Sequence, residues 1–325
     1  MMSLDTIHIA SAVEAARQSD VAILFCGSSS ASLARDYNET NCGEGFDLAD
    51  LALTGAQGKL IKAIHATGKP VILVLVTGKP FSIAWEKKHI PAILIQWYAG
   101  EQEGSSIANI LFGKTNPSGH LTVSFPQSSG HLPAYYNHLP TDRGFYHKPG
   151  SYEQPGRDYV FSSPGPLWAF GHGLTYTTFN YTDMQIQQSI DSIKVFVTVK
   201  NTGRWAGKAV PQLYVRDVFS SISTPVKQLK AFNKVALEPG ETTRVPLHFA
   251  VQDLALTDEA GKTMVEPGSF EIMIGDASDH ILLKQTISIG QNMAVSPCSI
   301  KEQLPEEIGK GNIIHIKGVV RDVQA

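Results

Sequence analysis

Residues 27–55, GSSSASLARDYNETNCGEGFDLADLALTG, hold five carboxylates: Asp36, Glu39, Glu44, Asp47 and Asp50. Carboxyl groups collected in one loop can act as general acid, general base or nucleophile once their surroundings shift their pKa values. Glu44 lies between Gly43 and Gly45, which free the backbone to take unusual φ/ψ and leave room for a ligand beside the carboxylate. Asp47 and Asp50 could equally cap or salt-bridge the helix that follows. Arg35 and Asp36 pair a fork of donors with an acceptor, which suits a polyhydroxylated ligand, and equally suits a local surface ion pair. Trp97 and Tyr98 stand where an apolar run ends, a place for an aromatic ring to stack on a ligand or to join the core. The Trp168, Phe170 and His172 group reads as packing, and His147 and His172 have no second partner at metal-ligand spacing.

The elements around this loop say how it is positioned. IASAVEAAR (9–17) spaces apolar residues at helical intervals, and VAILFCG (21–27) reads as a buried strand ending in glycine. A helix is predicted from an N-cap near Thr54 to Gly68, then a strand in KPVILVLVTG, a short helix at 83–87, a strand in AILIQWY and a helix from Gly104 to Phe112. Strands alternating with helices imply a mostly parallel sheet with helices on both faces. In such sheets ligands lie beyond the carboxyl ends of the strands, where the acidic loop begins.

Residues 114–180 are rich in Pro, Gly and aromatic residues, too aromatic for a disordered linker, and predict an ordered crossover packed on the first unit. Short alternating runs follow, IKVFVTVKN, AVPQLYVRD, KQLKAFNKVAL, TRVPLHFAV and GSFEIMIGD, separated by turn signals. They predict an immunoglobulin- or fibronectin-like β-sandwich. The expected organisation is an α/β sandwich over 1–125, the crossover over 126–183, the β-sandwich over 184–290, and a linker opening a further β-module over 291–325.

The 325 residues carry a net charge of -3, with no concentrated basic patch of the kind that displaces counterions from nucleic acid. No apolar run approaches the roughly 18 residues that span a bilayer. Three cysteines, Cys26, Cys42 and Cys298, show no zinc spacing. A Cys26–Cys42 bridge is conceivable in an oxidising compartment, and buried thiols are the plainer reading. No glycine-rich phosphate loop follows a strand, so neither a cofactor nor a metal is expected.

Four sets of segments carry a family resemblance: GKPVILVLVTGKP with AILIQWYAGEQEGSSIANILFGKTNPSGHLTVSFPQS; HLPAYYNHLP with PLWAFGHGLTYTTFNY; STPVKQLKAFNKVALEPGET; and VEPGSFEIMIGDAS. Over roughly residues 10–290 they resemble the C-terminal half of the β-glucosidases of glycoside hydrolase family 3, in that family's order and spacing. The resemblance implies a retaining exo-acting β-glycosidase built from a barrel, an α/β sandwich and a fibronectin-like domain. Retaining hydrolysis needs a nucleophile and an acid/base about 5–5.5 Å apart. The family's nucleophile is a barrel aspartate in a Ser-Asp-Trp-like context. Here Ser19-Asp20 and Ser278-Asp279 are not followed by Trp, which implies that the barrel and its nucleophile are missing. CGEGFDLADLALTG resembles the family segment that carries the acid/base, which makes Glu44 the first candidate; Glu39, in YNET, resembles a second branch and stands behind it. Arg35, Asp36 and Trp97 become candidate substrate contacts. The implied partners are a β-glycoside or oligosaccharide substrate, the N-terminal barrel, and further copies of the chain through the surface left uncovered. A periplasmic or secreted location goes with the resemblance. The competing reading is a non-catalytic structural or carbohydrate-contacting fragment.

Overall fold

The computed structural model describes residues 4–30, 40–42, 46–140 and 162–290, with the backbone of 293–294. Helix α1 (Ile9–Arg17) turns Ala12, Val13 and Ala16 to one side and buries Ala16. Strand β1 (Ala22–Gly27), helix α2 (Gln57–His65), strand β2 (Val71–Val76), helix α3 (Ala84–His89), strand β3 (Ala92–Ile95) and helix α4 (Glu103–Leu111) follow. The strands form a parallel sheet in the order β1-β2-β3, with Phe25 beside Val74 and Val74 beside Leu94.

One face of this sheet (Leu24, Cys26, Leu73, Leu75, Ile93 and Ile95) packs on Ile61 and Ile64 of α2 and on Phe81 and Ile83. Burying each large aliphatic side chain there contributes about 1.5–3 kcal/mol. On the other face Val74 is fully buried, yet along β1 Ile23 is 38% and Phe25 60% exposed. Helical cover on both faces was the expectation; among the described residues no helix covers the second face at β1. A parallel strand normally shows neither face to water, so this row of apolar side chains is unusual. The two cysteines near β1 and its following loop, Cys26 and Cys42, are buried free thiols rather than a bridge. Burial pushes the Cys26 pKa up to about 11, with the Glu86 carboxylate adding to the shift.

The segment after α4 is ordered where described. Leu121, Phe125 and Leu167 enter the α/β core, and Phe125 pairs with Trp168 in an antiparallel bridge. Lys87 lies over the Trp168 ring and donates to the Leu167 carbonyl.

The second unit comprises β4 (Phe179–Gln188), β5 (Ser192–Asn201), β6 (Gly207–Ala209), β7 (Gln212–Asp217), β8 (Gln228–Phe232), β9 (Val235–Leu237), β10 (Thr242–Ala250), β11 (Leu256–Thr257), β12 (Thr263–Val265), β13 (Gly268–Ala277), β14 (His280–Ile289) and β15 (Met293–Ala294). Two antiparallel sheets, β10-β5-β4 and β14-β13-β7-β8, face each other across a hydrophobic core. Strict alternation builds that core: Ile193, Val195, Val197 and Val199 of β5 are fully buried while Lys194 and Lys200 are exposed. Pro246, which cannot donate to a ladder, sits on β10 at its sheet's edge.

A polar seam joins the two units. Gln212 donates to the carbonyls of Gly171 (3.0 Å) and Asp276 (2.7 Å) and accepts from the Tyr214 hydroxyl (2.6 Å). Gly171 has φ +82, and a Cβ there would stand 2.1 Å from Gln212 Oε1, so the approach requires glycine. Asn116 accepts from Tyr176 N–H (2.8 Å) and donates to the Ala206 carbonyl (2.8 Å). Tyr136 stacks on Phe170 at 4.2 Å, and its hydroxyl accepts from Leu229 N–H (3.1 Å) across the seam.

Candidate active site

The carboxyl ends of β1, β2 and β3 meet at one edge, and the loop between β1 and α2 starts there. Gly27 takes φ +141, and a Cβ on it would fall 1.9 Å from the Val76 carbonyl oxygen, so the loop can leave β1 this way only from glycine. Gln57, the first residue of α2, holds that exit with both ends of its amide. Gly27 N–H donates to Gln57 Oε1 (2.7 Å), and Gln57 Nε2 donates to Gly27 O and to Thr54 O (3.0 Å each).

Beyond Gly27 the loop is fastened again. Ser28 Oγ lies 2.7 Å from Tyr98 Oη. Ser29 N–H donates to Asn41 Oδ1 (2.8 Å), Asn41 N–H donates to Ser29 O (3.1 Å), and Ser30 pairs with Cys42 in a parallel bridge. Asn41 Nδ2 donates to Thr54 Oγ1 (2.7 Å). Thr54 was expected to cap α2, but the helix starts three residues later at Gln57, and the Thr54 hydroxyl serves Asn41 and Gln57 instead. Thr40, Asn41 and Cys42 are only 2%, 3% and 4% exposed. Buried polar groups keep their place only when paired, and here the pairing fixes the chain.

The strand ends supply the floor. A Cβ on Gly78 would sit 2.7 Å from both Cys42 Sγ and Tyr98 Cε2, so the β2 end, the loop and Tyr98 are in close contact. Burial raises the Tyr98 phenol pKa, the Ser28 hydrogen bond opposing it, so the hydroxyl stays protonated at neutral pH. Lys79 donates to the Phe46 carbonyl, which fastens the chain again just after residues 43–45.

Of the residues singled out in the sequence, Arg35, Asp36, Glu39 and Glu44 lie outside the described residues, as does His147. Asp47 is exposed. Asp50 accepts from Ala52 N–H and Ser129 Oγ (3.1 Å each), shaping a turn rather than capping α2. Trp97 has φ +52, rare for an aromatic residue, and its half-buried ring lies 6.0 Å from Phe125 against the α/β core. Burial lowers the pKa of His172, with Asp279 opposing. Asn41 and Gln57 carry the loop's anchoring and have no signature in the sequence, because each is one polar residue among many.

Residues 5–176 match the model of the glycosyl hydrolase family 3 C-terminal domain. The chain belongs to glycoside hydrolase family 3. A fibronectin type III-like domain matches residues 209–278, within the β-sandwich. A β-xylosidase of Formosa agariphila is 40% identical over 283 residues, which cover 86% of this chain and 36% of that protein. A periplasmic β-glucosidase of Salmonella typhimurium is 39% identical over 83% of this chain and 34% of its own length. The solved structure of a β-glucosidase from Erythrobacter marinus superposes with a TM-score of 0.75 at 39% identity, over 86% of this chain and 36% of that one. This family 3 chain therefore spans about a third of the length of the relatives it matches, and its fold is the α/β unit followed by the fibronectin-like sandwich.

Proposed function

We propose that the chain works as the C-terminal portion of a retaining, exo-acting β-glycosidase that removes terminal β-linked sugars from oligosaccharides. Glu44 is its general acid/base, and the nucleophile is an aspartate of an N-terminal barrel. The observation that carries the reading is the buried, hydrogen-bonded tripeptide Thr40-Asn41-Cys42 at the carboxyl ends of the parallel strands, with Glu39 directly before it and Glu44 two residues after it. A general acid must be held within hydrogen-bonding reach of the leaving oxygen, and a loop tied down on both sides of its carboxylate meets that need. The Lys79–Phe46 bond on the far side of Glu44 supports it. The strained backbone of Trp97 at the neighbouring strand end is of the kind that collects at ligand sites. Arg35, Asp36 and Trp97 belong to this reading as sugar contacts. Relatives named β-glucosidase and β-xylosidase favour glucosyl or xylosyl substrates, and the periplasmic relative favours a periplasmic or secreted location.

The test joins this chain to the barrel of a family relative and assays aryl β-glucosides. Glu44→Gln should abolish turnover of substrates with poor leaving groups. Azide should rescue Glu44→Ala on activated substrates and leave Glu39→Ala unchanged. Full activity of Glu44→Gln on a poor leaving group would remove Glu44 from the role.

A second reading has its own support. No Ser-Asp-Trp segment occurs in the sequence, so the 325 residues on their own fit a non-catalytic, structural or carbohydrate-contacting piece. Hydrolysis by the isolated chain decides this, and none is expected. The exposed row on β1 would then offer itself to the barrel or to a second copy of the chain.

A further inference from the structure

The fibronectin-like sandwich has an irregular end. Opposite residues of an antiparallel pair share a face, so the inward row of β7 is Leu213, Val215 and Asp217, beside Ile274, Ile272 and Phe270 of β13. Gln228 of β8 lies opposite Val215 and therefore also points inward. The first positions are filled as a sandwich core demands, with Leu213, Ile272 and Ile274 fully buried. At the last ones the sequence places a carboxylate and an amide. Lys230, at the β8 register shift, joins them and reaches across to donate from Nζ to the Asp253 carbonyl (2.6 Å). These three side chains line a cavity of about 200 Å³, with Phe270, Val215 and Leu254 as apolar surface.

The bonding of these groups is incomplete. Asp217 accepts from Phe219 N–H (3.2 Å), and Lys230 donates to one carbonyl. A carboxylate offers about four acceptor sites and an ammonium three donors. No ion pair joins Asp217 to Lys230 among the described residues, although both line the same hollow. The Gln228 amide has no hydrogen-bond partner among the described residues. Burial shifts both charged groups toward neutrality, Asp217 upward and Lys230 downward, the mark of groups held partly out of water.

We propose that this cavity is a binding site for a neutral, hydroxyl-rich ligand, a single monosaccharide unit, distinct from the site beyond the parallel strands. The lining itself holds one negative and one positive group, and the neighbouring carboxylates of Glu266 and Asp253 lie outside it, bonded to Ser221 and to Ala250 N–H. Interleaved donors and acceptors over an apolar surface suit a pyranose, whose hydroxyls need both and whose C–H face needs a dry wall. The size suits one sugar ring. The inference stands without the proposed hydrolytic function, because its residues and its readout lie in the other unit.

The test is a titration of the isotopically labelled 325-residue chain with glucose and with xylose, followed residue by residue by NMR. Saturable shifts are expected at 215–230 and 254–257. Gln228→Leu and Asp217→Asn should each weaken binding about tenfold, one lost hydrogen-bonding group in a partly buried site. Ser223→Trp, which removes no internal bond and crowds the mouth, should block it while the rest of the spectrum stays in place. The absence of saturable shifts at about 100 mM sugar, or undiminished binding in all three variants, overturns the proposal. Tighter binding of the zwitterion glycine than of glucose overturns the assignment to a neutral polyol.

Discussion

Replacing Asn41 with alanine removes two hydrogen bonds from a residue that is 3% exposed: Ser29 N–H to Oδ1 at 2.8 Å, and Nδ2 to Thr54 Oγ1 at 2.7 Å. Each such bond contributes about 0.5–1.5 kcal/mol, and the Ser29 amide left without its acceptor adds part of a desolvation cost of about 1–3 kcal/mol. The sum is about 2–4 kcal/mol. For a unit of this size that lowers Tm by roughly 5 to 15 °C. Three of the four tryptophans, Trp85, Trp97 and Trp168, pack on the α/β core, so tryptophan fluorescence during urea unfolding reports the affected unit. A double-mutant cycle with Thr54→Val should return a coupling of about 1 kcal/mol, because the two side chains share one bond. A loss below about 0.5 kcal/mol for Asn41→Ala, with no coupling to Thr54, would refute the view that this side chain anchors the loop. In the barrel-joined enzyme the same variant should lower kcat more than it raises KM, the result expected when an acid is misplaced and the sugar is still held.

Gly27→Ala should leave little folded protein on expression, because its Cβ would meet the Val76 oxygen at 1.9 Å in a backbone conformation hostile to side chains; a soluble variant with unchanged melting would contradict the geometry. Phe25→Glu should reduce self-association in sedimentation velocity and move the melting temperature by less than about 3 °C, since the ring is already 60% exposed. His172 has a folded pKa below its unfolded value of about 6.5, so the unfolded chain takes up the proton first; its contribution is present above that pH and is lost as pH falls toward the folded pKa. The drop in urea midpoint between pH 7.5 and pH 5 should therefore be smaller in His172→Gln than in the parent chain. Gln212→Ala should cost about 2–4 kcal/mol through the loss of its bonds to Gly171, Asp276 and Tyr214 and should speed limited proteolysis between the two units.

The periodic elements were legible in the sequence because period carries them. The run from Ile9 to Arg17, the β2 apolar stretch and the alternation of β5 each announce their own conformation. The position of the acidic loop followed from the strand-helix alternation. Its fastening did not, since Asn41, Thr54 and Gln57 act through contacts 12 to 30 residues apart in the chain, and no local pattern encodes those. The start of α2 shifted for the same reason: Thr54 has a cap's chemistry, and a tertiary partner claimed its hydroxyl. The exposed face of β1 was equally hidden, because an apolar strand reads the same whether its second face is covered or not. Asp217 and Gln228 look like ordinary breaks in alternation until the strand register turns both of them inward.

The polar seam bears on how such chains are inherited. Gln212 belongs to the fibronectin-like unit by sequence, yet one of its carbonyl partners is in the segment before it, and Asn116 reaches the other way to the 205–206 turn. A gene rearrangement that joined this sandwich to a different α/β unit at the start of β4 would cost Gln212 its Gly171 acceptor and put a side chain against Gln212 and Tyr214 wherever the newcomer lacked that glycine. The two units are thus one heritable module. Exchange between relatives keeps its function only when the cut falls ahead of both.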